Sequence, residues 1–530
     1  MKKLGLLFAI LLGLVSASNA QYKFSLLKNF STSGPGIGYS AVLGTRLIFA
    51  AEDATNGMEL WVTDGSASGT QLVRDINPGA NGSDPSELTV LHGQVYFSAN
   101  NGTDGIELWI SDGTLAGTVM LKNIHPTSHS WAGGFTAYND KLYFKADDGV
   151  NGSELWVTDG TQSGTYMLKD INTGSDASSP EGFIVYNNKL FFAATQGAQD
   201  RELWVTDGTA NGTMRVKDIY PGSSDGSPKC FAVCLNKLYF TAHDNVAGDE
   251  LWVSDGTTAG TSMFMDIYPG AMRSSISMLV SWNGKLYFDA NDGTHGREIW
   301  SSDGSANNTV MMKDINPGSS ASNPWGLTVC NNKLFFAADD GVHGSEMWVS
   351  DGISSGTKLL KDINTISSSN INNLTVSGNK LFFKGTDSTN HSMLWVTDGN
   401  PDSTYSIKPA GSTVTGPLDN TSVMTEMNGS VYLCAKFNAV YNEFWKVSPS
   451  TTGINILAAP EFCIYPNPSH NGNVRITSEK AVQYQIMDVS GRVINQGILH
   501  EGENDVDVAA LPGGMYLLKA EGACYRIIVE

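Results

Sequence analysis

Residues 154–161 read Glu-Leu-Trp-Val-Thr-Asp-Gly-Thr, and the same eight residues stand again at 202–209. Worn copies surround them. Tryptophans at Trp61, Trp109, Trp156, Trp204, Trp252, Trp300, Trp348, Trp395 and Trp445 follow one another at steps of 48, 47, 48, 48, 48, 48, 47 and 50 residues. So constant a period marks a repeat architecture, in which one unit is copied because it cannot bury its apolar face alone.

Each period reads as four short strands. The first is Leu-Thr-Val, as at 88–90 and 327–329, and a tight Asn turn follows it. The second is Lys-Leu-Tyr-Phe, as at 141–144, 237–240 and 285–288. An acidic loop such as 147–152 leads to the third, Glu-Leu-Trp-Val. A Thr-Asp-Gly-Thr-x-x-Gly-Thr hairpin turns into the fourth, Leu-Lys-Asp-Ile, as at 168–171 and 360–363. A longer Asn-Pro-Gly-Ser-Ser link, as at 316–320, joins the next period. The strands are rich in β-branched and aromatic residues and punctuated by Asp-Gly, Asn-Gly and Pro-Gly. Both pleat faces of the second strand are large, so it needs cover on both sides. An all-β propeller of four-stranded blades supplies that cover.

The repeat predicts about nine blades. Eight is the alternative, because the ninth unit is worn: Val447-Ser448-Pro449-Ser450 replaces Val-Thr-Asp-Gly. A β-solenoid is the third option. The longest link should run from the outer edge of one blade to the inner edge of the next, which places Leu-Thr-Val innermost. The acidic loops and Pro-Gly links then share one face. Two lone fourth strands, Leu26–Phe30 and Ile454–Leu457, compete to complete the last blade and remove an exposed edge.

The chain divides into 1–20, 21–457, 458–463 and 464–530. Residues 1–20 have a basic start at Lys2 and Lys3, an apolar run, and Ser18-Asn19-Ala20 before Gln21, the layout of a signal peptide. No later stretch is apolar enough to cross a bilayer, so no transmembrane segment is expected in the mature chain. Residues 464–530 read as a small β-sandwich, with strands at 474–477, 484–489, 506–508, 515–520 and 525–529. Of six cysteines, Cys234 and Cys330 look like core residues, and Cys463 and Cys524 are a candidate disulfide pair. With 53 acidic against 33 basic residues, the formal charge of −20 argues against nucleic acid as a partner.

Two resemblances attach to these residues. The repeat resembles the ELWxxDGT family of exported bacterial proteins, which is defined by its repeat and implies no reaction. Residues 464–530 resemble the type A C-terminal sorting domain of the Bacteroidetes type IX secretion system. The carrying residues are Tyr465-Pro466-Asn467-Pro468, the Asp488–Val493 stretch with Gly491, and Leu511-Pro512-Gly513-Gly514-Met515-Tyr516. The chain ends Val529-Glu530, where many such domains end in basic residues. This resemblance implies handling by the type IX secretion machinery and delivery to the cell surface or medium.

Calcium is the one candidate cofactor. Asp147, Asp148 and Glu154 recur as Asp339, Asp340 and Glu346 in glycine-rich loops, where oxygen ligands suit that ion. The competing reading is turn chemistry, since tight hairpins need Asp and Gly. The repeated Glu reads better as a structural acceptor, because Met393 replaces it without breaking the repeat. The hairpin Asp accepts backbone N–H bonds across its own turn and resembles the structural Asp-box of sialidase-like propellers. His243, His295, His343 and His391 share one loop, but on blades about 10 Å apart they cannot meet at the roughly 2 Å that zinc requires. His125, His129 and Trp131 lie in an insertion-like loop and are the candidate ligand contacts. No catalytic motif stands out: there is no Gly-x-Ser-x-Gly, His-Glu-x-x-His or phosphate loop. The expected function is therefore binding or adhesion to a glycan, matrix polymer or surface protein. A hydrolase with carboxylates at the propeller mouth is the alternative, and a purely architectural surface protein the third.

Overall fold

The structure is a computed structural model of the 530-residue chain. It describes residues 21–30, 37–198, 200–222, 224–410, 412, 424–437, 443–450, 462–465, 473–478, 481–488, 492–520 and 523–529. The expected signal peptide, the Ile454–Leu457 strand and most of the expected linker lie outside these residues.

Tyr22–Ser448 forms one compact unit. It holds nine four-stranded antiparallel sheets among the described residues, and each is a blade of a β-propeller. Blades 1 to 8 span 37–74, 86–122, 133–169, 181–217, 229–265, 279–313, 325–361 and 372–407, each an uninterrupted up-and-down meander. The ninth is built from Thr425–Met427, Ser430–Ala435 and Glu443–Pro449, and Tyr22–Asn29 supplies its outer strand. The N-terminal candidate thus completes the ring. Inner strands of consecutive blades touch, which puts Leu-Thr-Val at the axis as expected.

Blade 3 shows why this sequence folds so. In Lys141–Asp147 and Ser153–Thr158 the side chains alternate faces, and both faces are apolar. Tyr143, Leu155 and Val157 pack with Leu190, Phe192, Ala194 and Trp204 of blade 4. Phe144 and Trp156 sit opposite each other on the other face and pack with Leu108, Ile110 and Leu121 of blade 2. Burying a large side chain of this kind stabilises by about 1.5–3 kcal/mol. The pattern crosses the seam: Leu27, Tyr432, Cys434 and Phe444 of blade 9 pack with Ile37, Leu47, Phe49 and Trp61 of blade 1. The ring is closed, and closure excludes the solenoid.

The fourth strand departs from expectation. It is Tyr166–Lys169 in blade 3 and Lys358–Lys361 in blade 7, so Asp170-Ile171 and Asp362-Ile363 belong to the link. The Ile N–H leaves the ladder because a side chain takes it, as described below.

The chain from Pro449 to Glu530 belongs to a second compact unit. It contains a three-stranded sheet of Phe462–Tyr465, Asn473–Ser478 and Gly502–Asp507. A four-stranded sheet orders Val493–Leu499, Val482–Met487, Gly514–Ala520 and Ala523–Val529. The Val493–Leu499 strand was not expected; its Asn, Gln and Gly residues hide its alternation. Val474, Ile476, Ile486, Leu499, Val506 and Leu518 form part of the core. Cys463 lies on the first sheet and Cys524 on the second, and their side chains are outside the described residues.

Candidate functional site

The repeated glutamates and turn aspartates spend their polar groups on the fold. Glu154 is fully buried. Its carboxylate accepts the Ile171 N–H at 2.7 Å, the Ser178 N–H at 2.8 Å and the Ser178 hydroxyl at 2.6 Å. Both ends of the link to blade 4 are therefore pinned by one side chain. Glu59, Glu107, Glu202, Glu250 and Glu298 pin their links in the same way, and Glu346 accepts the Ile363 and Asn364 N–H groups at the start of its link. Burial raises the carboxyl pKa at these positions, and pushes Glu202, Glu250 and Glu346 up to about 7. Glu107, Glu202, Glu250 and Glu298, expected as structural acceptors, accept these link bonds, and the calcium candidates Glu154 and Glu346 accept bonds of the same kind. Their oxygens are engaged by the links.

The hairpin is a second closed circuit. In blade 3, Asp159 Oδ1 accepts the Thr161 N–H and hydroxyl at 2.9 and 2.7 Å. Thr158 Oγ1 accepts the Gly160 N–H and lies 2.7 Å from Thr165 Oγ1, which donates to the Thr161 carbonyl. Blades 1, 2, 4 and 5 repeat these bonds.

The acidic loops are turns of the same economy. Asp148 Oδ1 accepts the N–H groups of Val150 and Asn151, and Asn151 Nδ2 bonds Oδ2. Asp340 does the same with Val342 and His343, whose Nδ1 lies 2.7 Å from Oδ2. Asp147 and Asp339 accept the next glycine N–H. The structure does not bring Asp147, Asp148 and Glu154 together as one ligand set, nor Asp339, Asp340 and Glu346. Among the described residues the one close acidic trio is Asp200, Glu202 and Asp218, with ligand atoms within 4.8 Å. Arg215 already binds Asp200 at 2.7 Å. The sequence signal for it was Asp200 itself, standing where blade 3 has Gly152. The histidines are local partners too: His295 pairs with Asp292 and His243 with Asp249.

The loop of His125, His129 and Trp131 is no insertion. Ile124–Ser130 is the link that runs Ile76–Ser83 after blade 1, shortened by one residue. His125 occupies the place of Asn77 and lies against Gly149 of the next blade, as Asn77 lies against Gly102. His129 Nδ1 accepts the Ile106 N–H at 2.8 Å, which leaves the proton on Nε2. Trp131 is different. It is 61 % exposed, and its ring centroid lies 5.2 Å from that of His129. Its backbone has φ +48, at a position where other links place Asp84, Ser179, Ser227, Ser275, Asn323 and Asn370, all left-handed. Those small polar residues suit that conformation, whereas a tryptophan there is strained.

A second unrepeated group lies at the inner mouth on the same face. Glu87, Gly134, Phe135, Lys145, Pro180, Glu181 and Phe183 are among the residues lining a recess of about 340 Å³ between blades 2, 3 and 4. Glu87 accepts the Gly134 N–H at 2.8 Å, and Glu181 pairs with Arg201 at 2.7 Å. Sequence reading missed both Glu87 and Lys145.

In the second unit, Tyr516 is buried and donates its hydroxyl to the Pro512 carbonyl at 2.7 Å, which closes the Pro512-Gly513-Gly514 turn. Arg492 Nε lies 3.2 Å from Asp488 Oδ2. Tyr465 ends its strand; Pro466, Asn467, Pro468 and Gly491 lie outside the described residues.

Residues 463–529 match the family model of the secretion system C-terminal sorting domain. That match marks the chain as a type IX secretion substrate, secreted to the outer cell surface. No helix among the described residues is long and apolar enough to cross a membrane. No curated protein matches the chain. Among solved structures it is similar to PorZ, a surface component of the type IX secretion system of Porphyromonas gingivalis. That likeness has 12 % identity over 93 % of this chain and 75 % of PorZ, at a TM-score of 0.36. It is similar to a puromycin hydrolase at 12 % identity, covering 67 % of this chain and 58 % of that one, at 0.37. It is also similar to the propeller domain of the Trilobed protease from Pyrococcus furiosus, at 10 % identity, 61 % and 97 % coverage, and 0.34.

Proposed function

We propose that the propeller is a binding module carried to the cell surface, and that it holds a glycan on the face of the acidic loops and Pro-Gly links. The observation that carries this is Trp131. The repeated link glutamates and the hairpin and loop aspartates are engaged by links and turns, whereas this unrepeated indole faces solvent in a strained backbone. A flat exposed ring stacks on the apolar face of a sugar, and the His129 Nε2–H beside it supplies a donor for a hydroxyl. The repeat itself we assign to the ELWxxDGT family, in agreement with a role defined by architecture rather than reaction. A glycan-array screen of the purified protein, with and without calcium, tests the proposal. Binding to a defined glycan that is lost in Trp131→Ala supports it; silence in both conditions rejects it.

A hydrolase reading has one observation in its favour, the two carboxylates Glu87 and Glu181 in one recess. Each already has a protein partner. Release of reducing sugar or peptide by the wild type, abolished in Glu87→Gln, would establish it.

A further inference from the structure

We propose that the recess between blades 2, 3 and 4 binds a small zwitterion of the α-amino acid class. This site stands apart from the glycan reading at Trp131, and its failure would leave that reading untouched.

Three features meet there. The first is Glu87. It occupies the second position of its inner strand with φ +61. The same place holds Gly134, Gly182 and Gly326 in blades 3, 4 and 7, with φ between +68 and +71, and Cys230 and Asn373 in blades 5 and 8, both at +54. A glutamate in this conformation is strained where glycine would not be. Of the residues at this place Glu87 alone is charged, which points to a use for the side chain. The second is Lys145. It faces Leu155 across the ladder. Blades 1, 4 and 7 place Ala50, Ala193 and Ala337 opposite the corresponding apolar residue, and blades 2, 5, 6 and 8 place Ser98, Thr241, Asp289 and Lys384 there. Lys145 has no hydrogen bond or ion pair among the described residues, although it is only half exposed. The third is the wall. Phe135, Phe183 and Pro180 give it an apolar side, and the paired Glu181 and Arg201 add no net charge.

Geometry brings the two charges within one small molecule's span. A Cβ on Gly133 would lie 3.5 Å from the Glu87 carboxyl carbon. Gly133 is also the direct cross-strand partner of Lys145, and such partners have Cβ atoms about 4.5–5.5 Å apart. Yet no ion pair joins Glu87 and Lys145 among the described residues. Glu87 Oε2 holds the Gly134 N–H, and its other oxygen is free to accept from an ammonium. Lys145 is free to meet a carboxylate, and the phenylalanines to meet an apolar side chain. The volume of about 340 Å³ is at the small end of ligand sites. A neutral sugar would use neither charge. A simple anion would meet Glu87 and Glu181.

Titration calorimetry on the whole protein tests this, using the free L-amino acids, their N-acetyl and amide derivatives, glucose and N-acetylglucosamine. Two variants use residues the chain itself tolerates at these places: Glu87→Gly and Lys145→Ala. The expected result is binding of an apolar amino acid, weakened about tenfold or more by masking either charge on the ligand, and by either variant. Glu87→Gly should melt no lower than wild type, and Trp131→Ala should leave this binding unchanged. No heat from any amino acid at millimolar concentration overturns the proposal. So does amino-acid binding indifferent to both variants, or uncharged sugar binding lost in both.

Discussion

Glu154 shows how one side chain organises a stretch of chain far longer than itself. Its two oxygens fix donors 17 and 24 residues away, and the residues between are thereby shaped into the acidic-face link. Removing it leaves buried N–H groups with no acceptor, each costing about 1–3 kcal/mol. Glu154→Ala is therefore expected to lower unfolding stability by about 2–4 kcal/mol in urea titration, while Ser153→Ala, whose side chain makes no link bond, should be near neutral. The same carboxyls set a pH dependence. Folded pKa values of about 7 at Glu202, Glu250 and Glu346 stand above the ordinary 4.5. A raised carboxyl pKa makes the folded state hold its proton longer than the unfolded one. Stability should then fall as pH rises from about 4.5 to 7 and level off above. His295 and His343, raised by their Asp292 and Asp340 hydrogen bonds, act in the same direction near neutrality. The hairpin aspartates such as Asp159 and Asp207, held low by threonine hydroxyls, act oppositely and lose their contribution below about pH 4. Melting temperature should peak on the acidic side of neutrality; a maximum at pH 8 would contradict the assignment.

The blade is the scale at which the sequence was most legible. A period near 48, Asp-Gly and Asn turns, and strands apolar on both faces together admit little besides a four-stranded propeller blade. The fourth strand's end was misjudged at Asp170-Ile171, because the group that takes the Ile171 N–H lies 17 residues upstream, beyond any local propensity. Glu87 and Lys145 were missed for the opposite reason. Against a consensus they look like wear, because both positions vary from blade to blade: the first holds Gly, Cys or Asn elsewhere, and the second Ala, Ser, Thr, Asp or Lys. Blade-to-blade contact also yields a prediction. Gly160 has φ +92, and a Cβ there would lie 2.5 Å from Tyr96 Oη of the preceding blade. Gly160→Ala should cost more than 2 kcal/mol, whereas Asp159→Ala, which removes one exposed turn acceptor, should cost about 1 kcal/mol. Equal effects would mean that the hairpin does not seat against its neighbour.

The ring depends on a bond between the beginning and the end of the propeller. Tyr22–Asn29 joins the last three strands, Lys28 lies over the Trp61 ring at 5.0 Å, and Ser40 Oγ meets Thr425 Oγ1 at 2.5 Å across the seam. Backbone amides of Tyr22–Asn29 should exchange hydrogen as slowly as those of other outer strands, such as Tyr166–Lys169; exchange at the rate of a free segment would mean an open ring. The sorting-domain match explains why such a ring reaches the surface. The ring in turn explains why so regular a chain can carry a site, since regularity frees single positions to differ. That division of labour is tested most directly by one glycan-array comparison of wild type, Trp131→Ala and Asp148→Asn. The account predicts that Trp131→Ala silences every glycan bound by wild type while melting at the same temperature, and that Asp148→Asn keeps the wild-type profile. A profile lost in Asp148→Asn and kept in Trp131→Ala would contradict it.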